Sequence, residues 1–268
     1  MKNFKKVFAL VMALVMIFTL ASCGGEKKDA GTESDKAYVQ DKGKLVVGIT
    51  EFAPMDYKDD NGEWIGFDAD MAKAFAESLG VDVEFIVIDW DNKIMELEGK
   101  SIDVVWNGMT LVDEVKAAMG TSVPYCKNAQ VVVVPKEKAA DYQTEDAIKK
   151  LSFAAEAGSA GEKLLKGMDC EVVSVQTQAD ALMEVAAGTS EACVIDLLMA
   201  GAMIGEGTSY KDLTYTVALN EEDYGVGFRK GSDLVEALNQ FFKDTYADGT
   251  MMKIAKKYGV QESVIEQK

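Results

Sequence analysis

Four groups of residues have the types and spacing to hold a small ligand. Phe52 and Trp90 each follow closely on an apolar run. Two rings so placed can sandwich a flat or aliphatic group, or serve equally well as core aromatics. In WNGMT (106–110), Gly108 permits close approach of another group to the backbone, and Asn107 and Thr110 offer orienting hydrogen bonds; an ordinary strand-ending turn has the same look. EAGSAGEK (156–163) joins a strand to a helix. Unpaired N–H groups at a helix start favour a carboxylate or other anion, and a simple cap by Ser159 is the alternative. Asp196 ends the run CVID where a helix begins. It either caps that helix or pairs an ammonium, and its place at a strand's carboxyl end favours the second.

Bond-making chemistry finds little support. The chain of 268 residues has no histidine, which removes His-based triads, histidine metal sites and imidazole proton shuttles. No Walker or dinucleotide fingerprint occurs. Carboxylates are abundant, but such abundance is usually a solvated face. Glu51, Asp89 and Glu156 border the candidate groups, and the sequence leaves open whether each faces inward. Neither a cofactor nor a metal is expected.

The elements that must position these residues alternate from Lys44 onward. LVVGI (45–49) reads as a buried strand. Asp68 is placed to cap a helix whose Met71, Phe75 and Leu79 recur at four-residue spacing, with Gly80 as its stop. Strands follow at 81–88 and 102–106, with a short helix ending at Gly99 between them and another near 113–119. A second series begins at Gln130 with VVVVP, then a helix capped by Thr144, strands at 153–155, 172–175 and 193–195, and helices at 160–166, 179–187 and from Leu197. After a strand at 213–218 and YGVGFRKG (224–231), two helices finish the chain, the first capped by Ser232. The βαβ rhythm predicts mainly parallel sheets covered by helices. Two sheet-sized units result, with crossovers near 130 and 224. Ligands of such sheets bind beyond the carboxyl ends of the strands, where the four groups fall.

The amino-terminal end points outside the cytoplasm. Lys2, Lys5 and Lys6 precede an apolar run from Val7 to Leu20, the pattern of a secretory signal. The run is shorter than the roughly 20 residues that span a bilayer. Leu20-Ala21-Ser22-Cys23 resembles the bacterial lipobox, which makes 1–22 a signal peptide and Cys23 the lipidated first residue of the mature chain. Polar residues 23–43 read as a flexible tether. The formal net charge is −17, and about −20 without the three signal lysines, a field that repels nucleic acid. Setting Cys23 aside leaves Cys126, Cys170 and Cys193, an odd number that reads as buried thiols acting as small hydrophobes.

Taken in order, these phrases resemble the bacterial extracellular solute-binding proteins of family 3, the amino-acid receptors of ABC importers. The resemblance rests on LVVGITEFAPMDYKDDNGEWIGFDADMAKAFAESLG (45–80), DWDNKIMEL (89–97), SIDVVWNGMT (101–110) and SVPYCKNAQVVVV (122–134). It continues in AEAGSAGEKL (155–164) and YGVGFRKGSDLVEALNQFFKDTYADGTMMKI (224–254). It implies a periplasmic-binding-protein-like α/β fold, with two lobes joined by two hinge strands and a ligand cleft between them. Lobe 1 would comprise 44–130 and 224–268, and lobe 2 residues 131–223. Phe52 and Trp90 would be the stacking rings, and Asn107, Gly108 and Thr110 the loop that takes ammonium and carboxylate. Ser159 would belong to the anion-binding helix start, and Asp196 would pair the α-ammonium.

The chain departs from the family pattern at one end of that ligand. The arginine that grips the α-carboxylate falls on Val115, and the small hydroxyl residue expected after Ser159 is Ala160. Lys116 lies one position off and should point elsewhere on a helix. The expected ligand is therefore a small polar amine- or amino-acid-like solute lacking a free α-carboxylate. The expected partners are that solute, an ABC permease and the membrane reached through Cys23, with the protein a monomer on the extracellular face. A signalling receptor subunit has the same fold, and a dehydratase-like enzyme is the remoter alternative.

Overall fold

The computed structural model describes residues 34–268; the expected signal peptide, Cys23 and the first part of the expected tether lie outside the described residues. Residues 35–42, read as tether, instead form a helix, α1 (Asp35–Lys42). Ser34 Oγ accepts from Ala37 N at 3.0 Å, and Gly43 (φ 76°) closes the helix on the carbonyls of Val39 and Gln40. Only Val39 is fully buried at an apolar position, so no hydrophobic stripe announces the helix. Ion pairs hold it instead: Arg229 reaches Asp35 at 3.0 Å and Asp103 at 3.5 Å, and Lys42 reaches Asp103 at 2.5 Å.

The first sheet has the order β4 (Asp82–Val87), β1 (Lys44–Ile49), β5 (Val104–Thr110), β13 (Glu222–Phe228), β6 (Gly120–Thr121), with β7 (Cys126–Asn128) also on β13. The second runs β10 (Glu171–Val175), β9 (Ser152–Glu156), β11 (Ala192–Asp196), β8 (Gln130–Pro135), β12 (Leu213–Ala218). A two-stranded hairpin, β2 (Tyr57–Lys58) and β3 (Trp64–Ile65), lies outside both. The sheets are mixed rather than mainly parallel. β4, β1 and β5 are parallel, as are β10, β9 and β11, but β13 runs antiparallel to β5 and β8 antiparallel to β11.

The physical reason is the route of the chain. It leaves the first sheet at Asn128, enters the second at Gln130, and returns between Ala218 and Glu222. A strand that starts at the crossing runs away from it, whereas the βαβ strands end there. Register makes this concrete, with Thr110 opposite Tyr224 and Asp196 opposite Gln130. The chain thus crosses between the two sheets at Ala129 and again at 219–221.

Alternation along β1 sorts two cores. Leu45, Val47 and Ile49 face α2 (Phe67–Leu79), while Val46 joins Trp90, Ile102, Val105 and Val115 on the other side. In the second sheet Val132, Val134, Phe153 and Val194 pack toward α6 (Ala160–Gly167), and Val131, Val133, Cys193 and Ile195 toward α7 (Gln178–Ala187). Each fully buried aliphatic side chain contributes about 1.5–3 kcal/mol, which is why the period-two pattern dictates register here.

Two local expectations are corrected. Asp68 is not the cap of α2, whose N-cap is Gly66. Its carboxylate instead accepts from Gly108 N at 2.7 Å and from Tyr125 Oη at 2.7 and 2.8 Å. WNGMT is not a turn after a strand but the second half of β5 itself, bulged opposite Gly225–Gly227. Cys126 and Cys193 are buried and Cys170 half-buried, all three free.

Candidate ligand-binding site

A small cavity of about 30 Å³ lies where the two sets of strand ends meet. From the first sheet's side it is walled by Phe52, Trp90, Asn107, Gly108, Thr110 and Val115, and from the second by Glu156, Ser159, Ala160 and Asp196. All ten residues singled out from sequence therefore stand around one space. Glu51 and Asp89 are exposed and lie outside it, as does exposed Lys116.

The two walls touch. Lys93 Nζ donates to Gly158 O at 3.1 Å, Gln176 Nε2 donates to Asp89 Oδ1 at 2.8 Å, and Lys163 pairs with Glu114. Gly158 (φ +71°) presses on Asp91, where a Cβ would stand 2.8 Å from the Asp91 Cα. The cleft is closed over the cavity.

On the first wall, backbone geometry sets a ring. Gly108 has φ +54°, and a Cβ there would meet Phe52 Cε1 at 2.3 Å. The bulge in β5 thus admits the Phe52 ring, which also meets Tyr224 edge-on at 6.4 Å. Trp90 opens a 3₁₀ turn (Trp90–Asn92), and Lys93 Nζ lies 4.7 Å from its ring centroid. One face of Trp90 is therefore already occupied by a cation.

Two of the expected orienting groups are spent inside the protein. Asn107 Oδ1 accepts from Thr50 N (3.0 Å) and Oγ1 (2.8 Å). Its Nδ2 donates to Thr50 O at 3.0 Å and to Asp56 Oδ2 at 2.8 Å, so all four of its hydrogen-bonding positions are used. Thr110 Oγ1 donates to Glu222 Oε1 at 2.9 Å. These side chains brace the β5 end rather than offer free donors to the cavity.

The second wall carries the charge. Ser159 caps α6, its Oγ accepting from Glu162 N at 3.0 Å. Asp196 makes no side-chain cap. Its Oδ1 accepts from Gln130 Nε2, and its Oδ2 accepts from Tyr224 Oη at 2.9 Å and Gln178 Nε2 at 3.2 Å. Burial, reinforced by the charge of Glu222, pushes its carboxyl up to about 7. Glu156 is also buried, at 3% exposure, with no partner for Oε1. Burial and then the Asp196 charge push it up to about 8.

Gln130 and Gln178 also line the second wall and Lys93 the first, and no sequence feature points to the three as ligand-binding residues. Gln130 begins β8 opposite Asp196, a pairing fixed by register across 66 residues. Gln178 opens α7 and meets Asp196 N through its Oε1 at 2.8 Å. Lys93 reads in sequence as one charge at a helix start. In the fold it is 5% exposed, and it donates to Trp90 O at 3.0 Å as well as to Gly158 O. Burial, then the nearby Lys163 charge, lowers it to about 8. No local signal marks any of the three.

Comparison with known proteins agrees with the fold. The family model described as bacterial extracellular solute-binding proteins, family 3, matches residues 45–261. A probable histidine-binding protein of Neisseria gonorrhoeae is 29% identical, over 97% of each chain. The L-cystine-binding protein TcyJ of Escherichia coli is 27% identical over 92% of each. Among solved structures, an ABC uptake transporter substrate-binding protein from Streptococcus pneumoniae with bound histidine superposes with a TM-score of 0.77 at 29% identity, covering 87% of this chain and 99% of the other. An ancestral amino-acid-binding protein, described as a precursor of cyclohexadienyl dehydratase, gives 0.78 at 30% identity, covering 84% and 99%. With a family match over most of its length, this chain belongs to the bacterial extracellular solute-binding proteins of family 3.

Proposed function

We propose that the chain is the extracytoplasmic capture subunit of an ABC importer and holds a small ammonium-bearing solute without altering it. The observation that carries this reading is Asp196, buried at the cavity wall, braced by Gln130, Gln178 and Tyr224, and pushed up to about 7 by burial and the Glu222 charge. An ammonium there would restore its charge and, through contacts to both walls, favour closure. On this reading residues 44–128 and 222–268 form lobe 1 with α1 docked on it, and 130–218 form lobe 2. Signal residues 1–22 would be removed and Cys23 lipidated, leaving a monomer on the outer face of the membrane.

The α-carboxylate is not the anchor of this ligand. Val115 is 2% exposed and packs with Trp90, Met109 and Met119, so no guanidinium fork comes from that position. A lost charge-assisted hydrogen bond is worth about 1.5–3 kcal/mol, roughly ten- to a hundredfold in affinity. The test is a thermal-shift panel on the chain from Gly24, which retains every described residue. It sets common amino acids beside their amides and decarboxylated amines. Native-state binding raises the melting temperature, and the carboxylate-free members are expected to match or exceed their parents. Saturable binding confined to intact amino acids, and unchanged in Val115→Arg, would refute the reading.

A further inference from the structure

We propose that the ligand carries two cationic groups, the second of which is received by Glu156. This rests on the reading that a ligand ammonium faces Asp196. Glu156 ends β9 and Asp196 ends the neighbouring β11, in parallel register with Ala154 beside Cys193. The two carboxylates therefore rise from adjacent strand ends into one cavity. Adjacent strands lie about 4.8 Å apart, so a chain of three to five carbons, roughly, spans the distance between groups that pair with each.

The Lys93 charge acts on Glu156 but does not offset its burial. Glu156 Oε1 has no hydrogen-bond partner, although the residue is 3% exposed. Among the described residues it makes no ion pair. Lys163 is engaged with Glu114 and Lys166 with Glu162. Lys93, the other cation on the cavity, spends two of its donors on the carbonyls of Trp90 and Gly158. A buried carboxylate without a partner is costly in ionised form, and burial together with Asp196 raises Glu156 to about 8. A ligand ammonium, guanidinium or imidazolium removes that cost. The spacer between the ligand's two charges meets an apolar wall of Phe52, Met109, Val112 and Val115. The class is thus a diamine or an amino acid with a basic side chain.

Titration calorimetry at pH 7 on the chain from Gly24 tests this with three matched pairs: lysine and norleucine, arginine and citrulline, 1,5-diaminopentane and pentylamine. Members of each pair differ by one positive charge at the far end. At least one dicationic member is expected to bind about tenfold or more tighter than its mate. In Glu156→Gln that ratio should fall to near one. If norleucine, citrulline or pentylamine binds as tightly as its partner, the second cation is refuted while the Asp196 anchor stands. A ratio unchanged in Glu156→Gln refutes the assignment to that residue. Binding by none of the six overturns both readings.

Discussion

Replacing Gly108 by alanine is expected to destabilise the protein by moving one ring. The residue sits at φ +54°, and its added Cβ would stand 2.3 Å from Phe52 Cε1, 3.2 Å from Phe52 Cδ1 and 3.2 Å from Tyr224 Cε2. A non-glycine residue in the left-handed region costs about 1–2 kcal/mol. Forcing a methyl into a filled core costs about 1–3 kcal/mol more. The Phe52 ring has little room to yield, being 3% exposed and tied through its backbone to Asp56. The total, about 2–5 kcal/mol, lowers the melting temperature by roughly 5–15 °C in a domain of this size. Urea unfolding of four proteins apportions the effect: wild type, Gly108→Ala, Phe52→Leu and the double variant. Leucine lacks the Cε1 atom, so in that background Gly108→Ala should cost little beyond its backbone strain. The cycle should return a coupling of about 1–3 kcal/mol. An equal cost of Gly108→Ala in both backgrounds would refute the claim that the bulge exists to admit the ring.

Two further outcomes follow from the buried charges. Asp68 and Asp196 are raised to about 7 and Glu156 to about 8. The folded ligand-free protein therefore holds these protons more tightly than the unfolded chain, and stability falls as pH rises from about 4 to about 8. Lys93, lowered to about 8, acts in the opposite sense above pH 8, but burial raises the Cys126 and Cys193 thiols and the Tyr125 and Tyr224 hydroxyls, which oppose any recovery. Urea unfolding should show stability falling between about pH 4 and pH 8, with a shallower slope in Glu156→Gln; a flat profile would contradict the burial of these groups. Starting the chain at Lys44 removes α1 and strips Asp35 from Arg229, which is only 11% exposed. A loss of about 3 kcal/mol or more is expected, reproduced in part by Asp35→Asn, and an unchanged unfolding midpoint would show α1 to be dispensable.

Much of the architecture was legible because it is local. Apolar runs such as LVVGI and CVID need both faces covered, and Gly80 and Gly188 stop helices through positive φ. Glycine and serine at the 156–163 turn place a helix start beyond a strand end whatever surrounds them. The ten candidate residues reached one cavity for the same reason, since each lies at or just beyond a strand's carboxyl end. By contrast α1 reads as tether in the sequence, because its single core residue and its ion pair to Arg229 leave no periodic trace.

What the sequence determined by itself is the alternation of strands and helices, the family and the chemical types gathered at the strand ends. It did so because periodicity, caps and turn residues act over a few positions. Tertiary structure alone decided which of those polar groups are free. Asn107 looked like a ligand donor, but its partners come from Thr50 and Asp56, more than 50 residues away. Lys93 and Gln130 looked unremarkable until antiparallel register and lobe closure set them against Gly158 and Asp196. The same long-range packing left Glu156 Oε1 buried without a hydrogen-bond partner. Hydrogen-bond satisfaction and desolvation are properties of a surrounding assembled from distant segments, and no spacing along the chain encodes them.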